Sequence, residues 1–321
     1  MPYFKKAITP LQRLKEQLQA VDVLFEVRDA RLPRTSMHPK TKEFFGNKPR
    51  VIVFCKEDLA EAQSIRQWVK HLSTPGQRAI ALSLKVNKGQ GELLTQAKDL
   101  CKDKLEAWKN KGLKARPIRA AVVGLPNVGK SSLINWIIGK KKAAVANTPG
   151  VTRSNSWIRI DPNVELLDTP GMLPLAAFKG TSALKLALCN VLPGDHYDIE
   201  EIASYGLALI AQLYPKNLDT YKREGDAETL IASDLESVAL ARSCLKTGAE
   251  LDIKRAAGIF MSEFRSGKLG RMVLDRLDGN DELLLQADAE SVEADYDLAD
   301  FSDSAELSDS ADPSQIDSAT L

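Results

Sequence analysis

The pattern of apolar and polar positions divides the chain into two unlike parts. In the first part, short apolar runs typical of buried strands alternate with segments in which apolar residues recur at helical spacing. Strands are predicted at 21–27, 51–54, 79–82, 119–123, 157–160 and 164–167, and helices at 10–20, 61–72 and 91–111. Strands that alternate with helices predict an α/β fold with a doubly wound, mainly parallel sheet.

The second part, from residue 182 to residue 276, contains helical periodicities and no convincing strand. Asp198 is placed to cap the first of its helices. These helices are predicted at 199–213, 233–244 and 252–264. We therefore expect two folded domains, at 1–178 and 179–280, of which the second is all-helical.

The charges are distributed unevenly. The chain has 44 Lys and Arg against 43 Asp and Glu, but residues 281–321 contain 13 of the acidic side chains and no basic one. Residues 1–280 therefore hold 44 basic and 30 acidic side chains, a net charge of +14. Such an excess is typical of a protein that binds a phosphate backbone. The acidic segment cannot bury enough apolar area to fold alone, so we expect a disordered tail at 281–321.

Several classes of protein are disfavoured by the composition. No apolar stretch approaches the ~20 residues needed to span a bilayer, and the N-terminal residues lack the apolar core of a signal peptide. The four cysteines are scattered without a C-x-x-C pair, and the three histidines do not complete a metal-ligand set. We expect a cytoplasmic protein with free thiols, no zinc site and no membrane partner.

Residues 124–131 read Gly, four residues, Gly-Lys-Ser between a predicted strand and a helical pattern, which is the pattern of a P-loop. The glycines allow a tight turn that points backbone N–H groups at a β-phosphate, and the helix N-terminus adds partial positive charge. Lys130 can reach the β- and γ-phosphates, and the Ser131 hydroxyl can ligate Mg²⁺. The predicted phosphate-binding residues are Asn127, Val128, Gly129, Lys130, Ser131 and Ser132. The alternative, a turn that only packs, is disfavoured by the accompanying motifs.

The end of a later strand supplies further triphosphate chemistry. Asp168 lies 38 residues after Lys130, and its carboxylate can join the Mg²⁺ shell while the N–H of Gly171 bonds the γ-phosphate. In the polar loop between them, Thr152, or alternatively Thr148, can close over Mg²⁺. The predicted catalytic residues are Lys130, Thr152, Asp168 and Gly171, and the predicted magnesium ligands are Ser131, Thr152 and Asp168.

Two short motifs after neighbouring predicted strands fit the recognition of guanine. The N1–H and N2–H donors of guanine can both bond one carboxylate, and Asp58 follows the strand at 51–54. Lys56 can lay its stem over the base plane, and a backbone N–H in the segment after Ser83 can bond guanine O6. Solvated charge after a strand would look the same, but beside a P-loop these motifs indicate a guanine nucleotide. The predicted base-site residues are Lys56, Glu57, Asp58 and Ser83.

The order of the motifs is unusual, because most GTPases have the P-loop first and the base-reading motifs last. A parallel sheet tolerates the reverse order, since new termini at the surface leave the strand neighbours unchanged. The distinctive segments are Asp29-Ala30-Arg31-x-Pro33, Lys56-x-Asp58, Gly124 to Ser132, Pro149-Gly150-x-Thr152, Asp168-Thr169-Pro170-Gly171 and Gly267-Lys268-Leu269-Gly270-Arg271. With them the sequence resembles the circularly permuted GTPases, most closely the YlqF/RbgA family of ribosome-assembly GTPases, over roughly residues 8–278.

The resemblance implies a cytoplasmic, monomeric GTPase that binds GTP and GDP and acts late in maturation of the large ribosomal subunit. Such a protein would dock on ribosomal RNA through its helical domain, be stimulated by the assembling particle, and have no DNA partner. The resemblance also implies that Asn127 helps to hold a K⁺ ion. For the RNA-binding face we predict the basic residues of the helical domain, which are Lys254, Arg255, Arg265, Lys268 and Arg271.

Three features depart from these patterns. Cys55 stands where the family has the Asn of Asn-Lys-x-Asp, and we predict that it is also a nucleotide-binding residue. Because a thiol replaces the amide, we expect the protein to bind guanine nucleotides with lower affinity or lower selectivity than the family pattern would give. Met172 stands where many GTPases have a water-orienting Gln, and a thioether cannot orient a water, although a hydrophobic residue here matches the family. The family's N-terminal His, implicated in hydrolysis, has no counterpart before His38, which we expect to be a loop residue.

Three other functions remain open at this level. The chain could be a nucleotide-gated RNA-binding factor with negligible hydrolysis, as Met172 and the missing His suggest. It could be a permuted GTPase that serves the small subunit, although such relatives typically carry a zinc module. An ATPase is the third alternative, and competition between GTP and ATP would decide it.

Overall fold

The computed structural model describes residues 16–85, 89–113, 116–139, 157–167, 171–172, 178–192, 197–222 and 234–277. Seven strands form one sheet in the order β3-β2-β1-β4-β6-β5, with β7 also paired to β4. The pairs are parallel except for the antiparallel hairpin of β5 and β6. The strands are β1 (Val23–Asp29), β2 (Arg50–Cys55), β3 (Gln77–Ala81), β4 (Ile118–Gly124), β5 (Trp157–Asp161), β6 (Val164–Leu167) and β7 (Gly171–Met172). The predicted α/β fold with a mainly parallel sheet is confirmed.

Residues 16–19, before β1, are helical and are the described part of the helix predicted at 10–20. The other helices lie between the strands and after them. They are α1 (Thr41–Phe45), α2 (Ala62–Leu72), α3 (Gln90–Leu100), α4 (Lys102–Asn110), α5 (Lys130–Ile138), α6 (Gly180–Leu188), α7 (Ile199–Leu213), α8 (Leu235–Ala241) and α9 (Ile253–Ser266). Two 3₁₀ helices, Glu57–Leu59 and Pro215–Tyr221, complete the set. Asp198 caps α7 as predicted, because its side chain accepts a hydrogen bond from the N–H of Glu200 at 2.9 Å.

The long basic helix predicted at 91–111 is instead two helices that meet at Cys101. The first, α3, buries Leu93, Leu94 and Ala97 in the core, whereas α4 has no fully buried residue. The apolar stripe therefore does not continue along one helix face, and the chain bends at the buried Cys101. The two-residue strand β7 and the short helix α1 were not predicted, because neither is long enough to show a period.

Strand β1 is buried along its whole length between β2 and β4, although three of its residues are charged. Glu26 and Arg28 pair with each other at 2.7 Å, and Arg28 also donates to the carbonyl of Pro33. The third charged residue, Asp29, lies at the carboxyl end of the strand. Buried charges are costly unless they are paired, and these contacts supply the partners that Glu26 and Arg28 need inside the sheet.

One continuous apolar core joins the sheet to the helices that follow it. Among the described residues the strands end by Met172, and α6 to α9 follow from Gly180. The predicted division between residues 178 and 179 stays a prediction. No helix within the described ranges is long and apolar enough to cross a membrane.

Candidate nucleotide-binding site

The carboxyl ends of four parallel strands meet at one edge of the sheet, and they bring the predicted motifs together. Strand β1 ends at Asp29, β2 at Cys55, β3 at Ala81 and β4 at Gly124. From β1 the chain moves outward through β2 to β3, whereas from β4 it moves the other way to β6 and β5. The strand order therefore reverses between β1 and β4, which is where open α/β sheets bind ligands. We call this edge the carboxyl edge.

The loop between β4 and α5 requires glycine at two positions. A Cβ at Gly124, where φ is +150°, would lie 2.5 Å from the backbone oxygen of Val27. A Cβ at Gly129, where φ is +114°, would lie 3.0 Å from the Cβ of Cys55. Asn127 also has a positive φ, of 52°. Positive φ values along a loop curve the backbone into a concavity that binds anions.

Helix α5 begins at Lys130, directly after the loop, with Gly129 as its N-cap residue. Ser131 and Ser132 are exposed in the first turn, and Val128 is buried beneath the loop. The first N–H groups of a helix have no partner within it, and the helix dipole favours a negative charge there. An exposed serine hydroxyl beside this anion-binding loop is also the hard oxygen ligand that Mg²⁺ prefers, so the residues fit a magnesium-bound phosphate.

The side chain of Lys130 reaches back into the loop. The residue is only 7% exposed, and its Nζ donates a hydrogen bond to the carbonyl of Leu125 at 2.5 Å. Burial lowers the pKa of the Lys130 ammonium from 10.5 to about 8. A bound phosphate would add negative charge next to the ammonium and raise that pKa again. Lys130 is therefore well placed to bind an anion.

Strand β7 places Gly171 next to the start of the loop. Gly171 is in register with Val123, and Met172 is in register with Gly124. The backbone that follows the Asp-Thr-Pro motif therefore lies beside the loop, as a contact with a γ-phosphate requires. Asp168, Thr152 and Thr148 lie outside the described residues, so their predicted roles at Mg²⁺ stay predictions.

The predicted base-reading residues form a tight turn after β2. Lys56 adopts the left-handed conformation (φ 60°), and residues Glu57–Leu59 form one turn of 3₁₀ helix. The Asp58 carboxylate, 23% exposed, accepts a hydrogen bond from Lys85 Nζ at 2.5 Å. Ser83 follows β3, which is the neighbour of β2, and is half-buried. The two motifs predicted to read guanine are thus joined by an ion pair at the carboxyl edge.

Cys55 faces the phosphate-binding loop and is 1% exposed. Its Sγ lies 3.4 Å from the position that a Cβ of Gly129 would take. Burial raises the pKa of the Cys55 thiol to about 12, so the side chain is neutral near physiological pH. Cys55 therefore packs against the loop, and its contact with a base stays a prediction.

Comparison with known proteins agrees with this geometry. Residues 119–210 match the family described as "50S ribosome-binding GTPase". The chain is 33% identical over 264 residues to ribosome biogenesis GTPase A of Bacillus cereus, covering 82% of this chain and 89% of that protein. The chain belongs to the ribosome biogenesis GTPase A (YlqF/RbgA) family.

Solved structures of this GTPase family match the fold as well. The GDP-bound structure of YlqF superposes with a TM-score of 0.61 at 27% identity, over 83% of this chain and 99% of that one. The GNP-bound structure of YlqF from Thermotoga maritima gives 0.59 at 25% identity, over 84% and 98%. The family resemblance expected from the motifs is confirmed. In this sheet the base-reading turn after β2 comes earlier in the chain than the phosphate-binding loop after β4, which is the circularly permuted order.

The structure also shows the contacts of one residue of this GTPase, Asp29, whose role the sequence did not predict. Asp29 lies in the Asp-Ala-Arg segment that carried the resemblance, but no pattern assigned it a task. Its carboxylate, 0% exposed, accepts hydrogen bonds from Lys56 Nζ at 2.9 Å and from Arg31. Burial alone would raise the pKa of Asp29, but Arg31 and Lys56 lower it to about 2. Only the distance in space, which the chain order does not show, connects Asp29 with the base-reading turn.

Three further expectations concern His38, metal ligands and Arg265. His38 is a loop residue as expected, buried against the rings of Phe44 and Phe178. Within the described ranges no group of three or more His, Cys, Asp or Glu side chains could hold a metal ion. Arg265, predicted as part of an RNA-binding face, donates instead to the carbonyls of Leu188 and Ala187, which gives it a structural role.

Proposed function

We propose that the chain binds GTP and GDP at the carboxyl edge, hydrolyses GTP, and acts as an assembly factor on the precursor of the large ribosomal subunit. The observation that carries the proposal is the meeting of two elements at one strand-order reversal. The loop ending at Gly129 and Lys130 can hold phosphates, and the turn after β2 presents Asp58 toward the same edge. A guanine nucleotide has phosphates that match the loop and a base that matches the Asp58 carboxylate.

Each residue has a distinct task in this proposal. Backbone N–H groups from Asn127 to Ser132 and the Lys130 ammonium bind the β- and γ-phosphates, while Asp58 accepts the two donors of guanine. Lys56 covers the base plane, and the backbone after Ser83 bonds guanine O6. Mg²⁺ would be held by Ser131, Asp168 and Thr152, and it supplies charge neutralisation at the phosphates when bound. The exposed carboxamide of Asn127 is a suitable oxygen ligand for K⁺.

The site alone is not expected to hydrolyse GTP quickly. Met172 has no group that could orient a water, and its backbone is paired with Gly124 at the start of the phosphate-binding loop. We infer that the assembling particle supplies the missing stimulation. The second candidate function is a nucleotide-gated RNA-binding factor with negligible hydrolysis. It is favoured by the same observation, because the thioether of Met172 cannot orient a water.

The ribosomal partner is inferred from the relatives and from the charge. Several relatives are named ribosome biogenesis GTPase A, and the matching family is described as ribosome-binding. Residues 1–280 carry a net charge of +14, which suits a partner made largely of RNA. We propose a monomer in the cytoplasm that binds ribosomal RNA of the large-subunit precursor in a nucleotide-dependent way.

Single-turnover hydrolysis of GTP, with and without large-subunit precursor particles, tests the proposal. We expect slow hydrolysis by the protein alone and faster hydrolysis with particles in K⁺ than in Na⁺. Hydrolysis that stays negligible with particles, together with GTP-dependent particle binding, would support the second candidate. Stimulation by small-subunit precursors alone, or equal binding of ATP and GTP, would overturn the assignment.

A further inference from the structure

Asp29 ends β1 and Lys56 directly follows the neighbouring strand β2, and their side chains form an ion pair where the base-reading turn begins. We propose that Asp29 is a positioning residue for nucleotide binding, whose buried carboxylate fixes the Lys56 ammonium so that the lysine stem is held across the base site. The inference rests on the proposed function, because it assigns Lys56 to the face of the base.

The contacts leave Asp29 no other role at the nucleotide. Its Oδ1 accepts hydrogen bonds from the backbone N–H and the Nε of Arg31, each at 3.0 Å. Its Oδ2 accepts from Arg31 Nη2 at 2.8 Å and from Lys56 Nζ at 2.9 Å. The side chain is fully buried, so it cannot touch a ligand itself. Asp29 can therefore act on a nucleotide only through its partners.

Of these two partners, Lys56 is the one that reaches the surface. Its side chain is 27% exposed, whereas that of Arg31 is 3% exposed. Lys56 leaves β2 in the left-handed conformation, which directs the chain into the turn that carries Asp58. A lysine fixed at its ammonium presents its apolar stem as a surface, and a free lysine would have to be ordered when the base binds.

We call the ion pair of Asp29 with Lys56 the anchor. Arg31 holds the Asp29 carboxylate of this anchor in place and links it to the helical part of the chain. Its bidentate pair with Asp29 fixes the plane of the carboxylate. The same guanidinium donates to the carbonyl of Cys189 at 3.0 Å and lies 5.4 Å from the ring centroid of Phe264. Arg31 and Lys56 together lower the pKa of the buried Asp29 carboxyl to about 2, so the carboxylate is ionised near neutral pH.

A double-mutant cycle on GDP affinity tests the inference. Asp29→Asn keeps the shape of the side chain but removes its charge, and Lys56→Met keeps an apolar stem but removes the ammonium. We expect each variant to bind GDP about tenfold more weakly by calorimetry, and we expect the double variant to be no weaker than Lys56→Met alone. Additive losses would mean that Asp29 acts by another route and would overturn the inference.

Asp22, directly before the opposite end of the same strand, provides a matched control. It is 3% exposed and pairs with Lys104 at 2.6 Å and Arg116 at 2.7 Å. Asp22→Asn should lower the thermal unfolding midpoint in the same way as Asp29→Asn, but it should leave GDP affinity within about twofold of the parent. An equal loss of affinity in both variants would assign the Asp29 effect to general destabilisation and overturn the inference.

Lys56 variants keep the inference testable if Asp29→Asn does not fold. Lys56→Arg retains a cation facing Asp29 and should therefore lose less GDP affinity than Lys56→Met, although a planar guanidinium does not fully replace an ammonium. Parent-like affinity of Lys56→Met would show that the anchor is unnecessary. If the parent itself binds no GDP, the proposed function fails, and if Lys56→Met weakens binding while Asp29→Asn does not, only the positioning inference fails.

Discussion

At the scale of single residues, the polar side chains at the carboxyl edge already have hydrogen-bond partners within the protein. Asp58 accepts from Lys85, Lys56 donates to Asp29, and Lys130 donates to the carbonyl of Leu125. A nucleotide would therefore exchange the present hydrogen bonds of Asp58 and Lys130 for new ones, whereas the pair of Lys56 with Asp29 would stay in place. The Asp58–Lys85 pair is the easiest to exchange, because the Lys85 side chain is 77% exposed and such surface pairs contribute little.

The first prediction concerns the choice of base. GTP and GDP should bind in the micromolar range or tighter, and ATP at least tenfold more weakly, a difference of ~1.4 kcal/mol. Asp58→Ala should abolish this preference, because the guanine donors lose their acceptor. Lys85→Ala is the control, since it removes the ion pair and leaves the acceptor in place. Competition binding measures both, and a preference that survives in Asp58→Ala would contradict the assignment.

A second residue-scale prediction follows from the buried ammonium. The pKa of Lys130 is about 8 in the protein alone, and a bound diphosphate should raise it. GDP binding near pH 8 should therefore take up a fraction of a proton, and affinity should fall as the pH rises above that value. Calorimetry in buffers of different ionisation enthalpy measures the uptake. Lys130→Arg, which stays protonated, should bind without it, and equal uptake by both proteins would show that another group titrates.

A third prediction concerns Cys55, where the family pattern has Asn. If the missing amide weakens the site, Cys55→Asn should tighten GDP binding by roughly tenfold or less, about one net hydrogen bond. The close approach of the thiol to Gly129 limits the gain, because an amide is larger and the space is filled. Cys55→Ala, which only removes the sulfur, is the matched control. Unchanged or weaker binding by Cys55→Asn would mean that the thiol already braces the loop well.

At the scale of elements, the segment after α9 returns to the base-reading turn. The N–H of Met272 donates to the carbonyl of Leu59 at 3.0 Å, and a Cβ at Gly267 would lie 2.7 Å from the Leu59 side chain. Asp275 accepts hydrogen bonds from the N–H groups of Arg34 and Thr35, each at 2.8 Å. The last described segment thus supports both loops that follow β1 and β2.

The fourth prediction tests this support. Asp275→Ala should lower the free energy of unfolding by ~3–5 kcal/mol, because a fully buried carboxylate with several partners is removed. Asp252→Ala is the control. Asp252 accepts from the N–H of Arg255 as an N-cap, and losing such a cap costs ~1 kcal/mol. Urea unfolding measures both variants. Similar small losses would show that the Asp275 contacts contribute little.

At the scale of the whole molecule, a basic body and an acidic segment belong to one chain. Residues 1–280 carry +14, and residues 281–321 carry 13 carboxylates and lie outside the described residues. Four of the five basic residues predicted to bind RNA are exposed, while Arg265 is engaged internally. The exposed four are Lys254, Arg255, Lys268 and Arg271.

The fifth prediction concerns competition between the acidic segment and RNA. RNA affinity should fall steeply with salt, because phosphate contacts release counterions. If residues 281–321 compete for the basic face, truncation after residue 280 should strengthen RNA binding at low salt, and the gain should fade as salt screens the charges. A filter-binding series over salt concentration measures this. Unchanged affinity at low salt would leave the segment as solvated charge.

The sequence by itself determined the features whose physical causes are local. The ends of β1 to β6 were predicted within two residues, since apolar runs mark burial, and the phosphate-binding loop was predicted from its glycines and the helix that follows. Whatever depends on residues distant in the chain was decided by the tertiary structure. The pair of Asp29 with Lys56 and the packing of Cys55 on Gly129 both follow from strand order and register. No local pattern encodes those distances, because parallel strands join residues that the sequence separates by a whole helix and its loops.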